Sequence, residues 1–575
     1  MKVLFRAFFA QLFASESVSS ELQLRQALIG VLALLVTPGF LLPTQMDPAF
    51  EAAVIRYASR PPGFPGLLDP LIRMFATICI AYSIVTIGFI AAYAWDALGF
   101  DRRDAMVLGP LPLRGSAVVC AKLAALGVLL LATTASISLM TAIPFAMIAS
   151  NYSGAAAVGR HAFAHMVATM SAATTVFCVL VTVRAALGMI GQERKALASL
   201  IQFAVVSALL CFVVLLPSAM HVVPARRRDA AVHLMALPSW NPLDLFLGLY
   251  ETARGTADAG YRVDAIAAAA VTLVALAAAV GATIAGYQLQ LQRALTPAAA
   301  PGCEGGARLQ RAIARLIAGS NQVARATADF IVTTIGRNRA QQIPIAVNAA
   351  IGFTLVVAGL SRGAGDPRVV SGPRTAILWI PLVAAYWTAI GLRASFFVPS
   401  ELPAAWSIRA NGPDDPGAYW SAIRAAAIAI IVPPALLIAG LLVPLLGWRV
   451  AAPYAAVVCA MGTLLAEGAA LTIDFIPFTC PYQPGHARLK SRWPLYLFGL
   501  WAFAFWPARF ALQAGGAAGP LLVLAAIVAA AAAIVELAGR RTAARRLAIA
   551  DEQDDITEGL TVLGIATASR SAVGV

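Results

Sequence analysis

Twelve apolar runs, 18 to 26 residues long, follow one another at 26–43, 72–95, 116–140, 163–187, 196–217, 264–288, 342–361, 374–398, 421–446, 450–475, 493–513 and 519–538. A helix needs roughly 20 apolar residues to cross a hydrocarbon core about 30 Å thick. The runs are continuous rather than alternating, so helices and not barrel strands are the spanning form. The chain is 60% hydrophobic and 12% charged, with mean hydropathy +0.79, whereas a soluble domain carries roughly 25% charged residues. The sequence predicts an all-α polytopic integral membrane protein of about twelve transmembrane helices in two six-helix halves.

The net charge of +14 is read as the Lys/Arg excess of cytoplasmic loops, not as a nucleic-acid surface. Placing the N-terminus inside puts Lys2, Arg6, Arg102, Arg103, Arg114, Arg194, Lys195, Arg409, Arg488, Lys490, Arg492 and the arginines of 293–339 and 540–570 on the cytoplasmic side. Fewer basic residues then face outward, with Arg226–Arg228 the one cluster against the trend. The expected location is a bacterial inner (plasma) membrane, multi-pass, with both termini cytoplasmic and the lipid bilayer as the solvent. The seven cysteines (79, 120, 178, 211, 303, 459, 480) contain no C-x-x-C pair and mostly lie inside apolar runs, so they read as small buried hydrophobes.

In chain order, residues 1–25 carry Phe5, Phe8, Phe9, Leu12 and Phe13 at helical spacing. This is the pattern of an amphipathic interfacial helix, or equally of a helix packed on the first span. Residues 26–288 form the first half, 289–341 a cytoplasmic linker with a flexible stretch from Pro297 to Gly306, 342–538 the second half, and 539–575 a cytoplasmic tail. Residues 237–251 predict a short helix on the outer surface, with Trp240 and Tyr250 suited to the interfacial zone.

One charged hinge separates the second and third runs: Asp101, Arg102, Arg103, Asp104, then Pro110, Pro112 and Arg114. The prolines fix φ and sharpen the turn. Three hundred residues on, the pattern returns: Asp101 aligns with Glu401, Ala105 with Ala405, Met106 with Trp406 and Leu108 with Ile408. After a two-residue insertion, Lys122 falls on Arg424. Both cations sit a turn or two inside the following run, where long basic side chains are expected to snorkel toward headgroups.

This arrangement resembles the permease subunits of type-two ABC exporters: acidic and basic residues after the second span, a Pro-Leu-Pro turn, and a lysine opening the third. The resemblance implies a surface helix before the first span and an intracellular loop that engages a separate ATP-binding cassette ATPase. It implies contacts through 101–114 and 401–420, with Asp101, Arg102, Arg103, Asp104, Pro110, Pro112, Arg114, Glu401, Trp406 and Arg409 at the partner surface. The family commonly has one six-span bundle per chain, whereas this chain would be a fused pair. No G-x-x-x-x-G-K-[ST] loop occurs, so ATP and Mg would belong to the partner and no cofactor to this chain. The major facilitator superfamily is the alternative, with twelve spans in parallel halves and an Asp-Arg loop after the second. Its glycine and following basic pair are missing after Asp101-Arg102.

Within the spans, Glu467 and Asp474 lie seven apart on the tenth run, hence on one face, and are candidates for a transport path. Arg509 is at a different predicted depth from Glu467. His161 and His165 have i, i+4 spacing but no third ligand near them in sequence, so no metal site is assigned. The basic loop from Cys480 to Arg492 reads as topology and lipid contact. No nucleophile–base or paired-carboxylate pattern points to an enzyme, which ranks third after the two transport readings.

Overall fold

A computed structural model describes residues 2–11, 68–95, 97–100, 104, 108, 111–150, 154–190, 195–220, 241–255, 258–295, 304–363, 372–398, 416–479, 493–515 and 517–546. The protein is an all-α polytopic membrane protein. Among the described residues there is no strand, and ten helices are long and apolar enough to cross a membrane. The expected first span, 26–43, lies outside the described residues. The chain divides into two compact units between Pro301 and Gly302.

The first unit contains α1 (Lys2–Gln11), α2 (Leu68–Tyr93), α3 (Gly115–Ala149), α4 (Ala155–Ile190), α5 (Lys195–Met220), α6 (Pro242–Arg254) and α7 (Ala259–Leu295). Helix α4 is its centre and packs on α2, α3, α6 and α7. The helices α3, α4 and α7 run for 35, 36 and 37 residues. At 1.5 Å per residue each exceeds about 50 Å, so each outruns both the hydrocarbon core and its predicted span. Hydroxyls inside these helices are satisfied within the helix: Thr133 donates to Leu129 O at 2.7 Å and Thr134 to Leu130 O at 2.7 Å.

Two apolar clusters lie along this unit. At one end Phe8, Trp95, Leu98, Phe100, Leu126 and Phe177 pack together. At the other, Ile72, Cys79, Phe145, Leu243, Phe246 and Tyr250 do so. The first is the end where α2 leads into α3; the second is covered by α6. Asn241 caps α6 by accepting from the Leu243 N–H at 3.1 Å, and Gly255 closes it at φ 98°. Tyr250 is fully buried there. Trp240 lies outside the described residues.

The second unit contains α8 (Glu304–Ala318), α9 (Gln322–Arg337), α10 (Arg339–Gly363), α11 (Gly372–Phe396), α12 (Pro416–Leu441), α13 (Trp448–Leu471) and α15 (Ala518–Arg546). Between α13 and α15 lies α14, made of Trp493–Leu500, a π turn Trp501–Phe505, and Trp506–Gln513. Here α12 is central, buried nearly all round from Ala418 to Val432, with Ala422, Ala425, Ala426, Ala427 and Ala429 letting neighbours approach closely. The segment expected as a linker carries a basic helical pattern through Arg308, Arg311 and Arg315. From Glu304 it is a helical hairpin whose Ala314, Ala318, Ala324, Ala328 and Ile331 join the core of this unit. Arg315 pairs with Asp329 across the hairpin. The expected tail also begins as helix, since α15 continues to Arg546.

The two units repeat one packing plan. In the first, α4 touches α2, α3 and α7, while α3 touches α1, α2 and α7. In the second, α13 touches α11, α12 and α15, while α12 touches α9, α11 and α15.

The backbones of α11 and α10 approach closely at Gly391. A Cβ at Gly391 would stand 2.7 Å from Ile345 Cα and 3.0 Å from the Pro344 carbonyl oxygen, both backbone atoms. Gly391→Ala should therefore destabilise the protein by about 1–3 kcal/mol. Gly440→Ala, with nothing within 4 Å, should not. Thermal unfolding of the two variants in one detergent checks this, and equal melting temperatures would contradict the close approach.

Candidate functional site

Helix α2 ends at Tyr93, and a helix end in apolar surroundings leaves carbonyls that need donors. Side chains from three other helices converge on this end. Gln202 of α5 donates from Nε2 to Ala92 O at 3.0 Å, and Arg184 of α4 from Nε to Trp95 O at 3.1 Å. Gln290 of α7 accepts from the Phe100 N–H at 3.3 Å and donates to Ala185 O of α4 at 2.9 Å. Phe100 is held edge-on by Phe8 and by Tyr287, with ring centroids 6.1 and 4.9 Å away.

Lys122 of α3 enters this cluster. Its side chain is 1% exposed, and Nζ lies 3.8 Å from Asp104 Oδ2, 4.8 Å from the Phe8 ring centre and 5.6 Å from that of Phe100. The expected snorkel is corrected: the ammonium turns inward. A carboxylate and two aromatic faces replace the water it loses, which costs less than reaching past packed helices to a headgroup. Asp104 is itself buried. The hinge is thus tied at one point to α3, to α1 and to the end of α2.

Beyond Asp104 the hinge changes character. Leu111, Pro112, Leu113 and Arg114 are all exposed, Leu111 by 48%. Arg114 precedes α3 without a side-chain cap. Asp101, Arg102, Arg103 and Pro110 lie outside the described residues, as do Glu401, Trp406 and Arg409.

Arg424 of the second unit, which the sequence aligns with Lys122, also turns inward. Its Nε pairs with Glu467 Oε1, and its Nη2 lies 3.0 Å from Glu536 Oε2 on α15. Arg540 contacts Glu536 at 2.6 Å, one turn along. The other carboxylate oxygen of Glu467 is buried with no hydrogen-bond partner among the described residues. The partner of Glu467 is thus Arg424, on the same layer of the bundle. Asp474 is not on the Glu467 face. Helix α13 ends at Leu471, Thr472 caps it, and Asp474 is exposed in the irregular segment that follows. Arg393 is buried nearby in the chain fold, donating to Thr472 Oγ1 at 2.8 Å and to the Tyr496 hydroxyl at 3.3 Å.

The histidines are separate from both clusters. His161 Nδ1 shares a hydrogen bond with the Tyr250 hydroxyl at 2.7 Å, and His165 Nε2 with Thr141 Oγ1 at 2.8 Å. Each has its own hydroxyl, and no group of three metal-ligating side chains occurs among the described residues. Burial pushes the Tyr250 hydroxyl well above its usual range, so it remains protonated beside His161. Around it, Glu251 meets Arg73 at 3.3 Å and Arg254 at 3.6 Å, while Arg254 meets Asp69 at 2.8 Å, fixing α6 to α2.

No family model, curated protein or solved structure matches the chain. The site is therefore read from its own chemistry. Arg184, Gln202 and Gln290 were not singled out from sequence. Their signal was a strongly polar side chain inside or at the edge of an apolar run, and only the fold reveals that all three serve the end of α2.

The Lys122–Asp104 contact makes a testable claim. Lys122→Met strands a buried carboxylate and should cost about 3–5 kcal/mol, as should Asp104→Leu by stranding the ammonium. The double variant, leaving neither charge, should recover a substantial part of the loss. Losses that simply add in detergent unfolding would show that the two groups are not coupled.

Proposed function

We propose that the chain is the membrane-spanning permease subunit of an ATP-driven exporter, energised by a separate ATPase through 101–114 and 401–420. The observation that carries this reading is the Lys122 cluster. A push on a loop does mechanical work only if the loop is stiffly joined to the helices it should move. Asp104 joins the hinge to α3, Phe8 adds the surface helix α1, and the Gln202, Arg184 and Gln290 bonds add the end of α2. Leu111, Pro112, Leu113 and Arg114 stand outside this joint, exposed as a short apolar and basic knob for a partner. In this mechanism ATP and its Mg bind the partner, and this chain contributes the lever and the path. The spanning helices carry few polar side chains, which accords with an apolar or amphiphilic cargo.

One observation favours a second reading, a gradient-driven carrier of the major-facilitator kind. Arg424 is shared between Glu467 and Glu536 on two different helices, an arrangement through which a proton could change which helices are held together.

Affinity purification from native membranes separates the two. An ATPase with a phosphate loop should co-purify with the chain, and Leu111→Glu with Arg114→Glu should release it while leaving the melting temperature unchanged. Transport in sealed vesicles should require ATP. Vesicle transport that follows an imposed proton gradient, ignores ATP and involves no co-purifying ATPase would overturn the exporter reading in favour of the carrier.

A further inference from the structure

The basic residues inside the apolar helices mostly find protein partners, as Lys122, Arg393 and Arg424 do. Arg509 of α14 does not. It is exposed and has no ion pair or hydrogen bond among the described residues. It lines a half-open cleft of about 280 Å³ with Trp501, Phe505, Trp506, Phe510 and Gln513, all from the same helix.

The shape of this cleft follows from the helix. Residues 501, 505, 509 and 513 form one row at i, i+4 spacing, and 506 and 510 form the row beside it. In a regular helix such a row drifts around the axis. The π turn at Trp501–Phe505 is wider by one residue and offsets that drift, as π bulges at functional sites do. Two ring contacts fix the walls: Phe505 lies against Trp379 of α11 at 5.1 Å, and Phe510 stacks on Trp506 at 5.8 Å. Trp501 and Trp506 keep 51% and 46% of their surface exposed.

Polarity is graded along the cleft. Arg509 and Gln513 occupy the last turn of α14, while Trp501 and Phe505 lie deeper in the span. The rise from Trp501 to Gln513 is about 18 Å, close to the half-thickness of a hydrocarbon core. A ligand matching this gradient has an anionic head beside the guanidinium and amide, and a chain of one-leaflet length along the aromatic rings. Free phosphate would use Arg509 and leave the rings unfilled.

We propose that this face of α14 is a binding site for an anionic phospholipid of the surrounding bilayer. Arg509 holds the phosphate through charge-assisted hydrogen bonds, Gln513 adds a donor, and the acyl chain lies over Trp506, Phe505 and Trp501. The site is independent of the exporter reading, since it needs neither a partner protein nor a transported substrate.

The test uses the purified full chain in detergent, titrated with phosphatidylglycerol, with phosphatidylcholine of the same chains, or with inorganic phosphate. Native mass spectrometry should show preferential retention of phosphatidylglycerol. Arg509→Gln should weaken that retention about tenfold, the loss of one charge-assisted hydrogen bond. Phosphatidylglycerol brominated in its chain should quench wild-type tryptophan fluorescence, and the Trp501→Phe, Trp506→Phe double variant should lose most of that quenching. Unlabelled phosphatidylglycerol should reverse the quenching and phosphatidylcholine should not, a comparison within the wild-type protein that holds even where a variant folds poorly. Equal retention of the two lipids would overturn the proposal. So would equal competition by inorganic phosphate, which would mark a free-anion site, or undiminished quenching in the double variant.

Discussion

Hydrocarbon offers no hydrogen bonds, so each polar group carried into it must bring or meet a partner. That demand shapes both units of this chain. Lys122 of α3 and Arg424 of α12 are aligned in the sequence, and each is drawn inward by acid. The acids differ in origin. In the first unit Asp104 comes from the hinge; in the second, Glu467 and Glu536 come from α13 and α15. Ala404 stands three hundred residues after Asp104 and has no carboxylate to offer. The duplicated cation therefore anchors a loop in one unit and a helix bundle in the other.

The same demand explains the polar side chains around α2. A spanning helix that stops inside a packed cluster exposes carbonyls with no water to receive. Gln202, Arg184 and Gln290 supply the donors and an acceptor, and the aromatic residues Phe8, Phe100 and Tyr287 close the space between them. At the opposite end, the paired charges of Asp69, Arg73, Glu251 and Arg254 hold α6 in place. The intervening stretch is apolar packing crossed by a few bonds between helices, such as Ser83 to Thr169 O at 3.3 Å, Thr169 to Ser138 at 2.9 Å and Thr175 with Thr272 at 2.9 Å.

Helix type and approximate span positions were legible because hydropathy in lipid is nearly a local property of the sequence. The sequence also suggests a repeat, through the aligned hinges and the Lys122–Arg424 correspondence, but most of the hinge residues lie outside the described residues. Partner choice was not legible. Snorkelling and inward pairing place the same lysine in the same register, and only the three-dimensional position of Asp104 decides between them. Asp474 was misread for a different reason. Seven-residue spacing implies a shared face only while the helix lasts, and α13 ends at Leu471. Within 289–341 the helical spacing of Arg308, Arg311 and Arg315 was legible, whereas the packing of Ala314 and Ala318 in the second unit depends on three-dimensional neighbours.

The bonds of Gln290 carry a consequence for biosynthesis. This residue joins Phe100 to Ala185, yet it belongs to α7, the last helix of its unit to leave the ribosome. Glu536 on α15 is placed similarly for Arg424. The Gln290 and Glu536 bonds therefore form only after the last helix of each unit has been made, whereas Lys122–Asp104 and Arg424–Glu467 need no such helix. Until those helices are made, the Phe100 N–H lacks its Gln290 acceptor and Arg424 lacks Glu536.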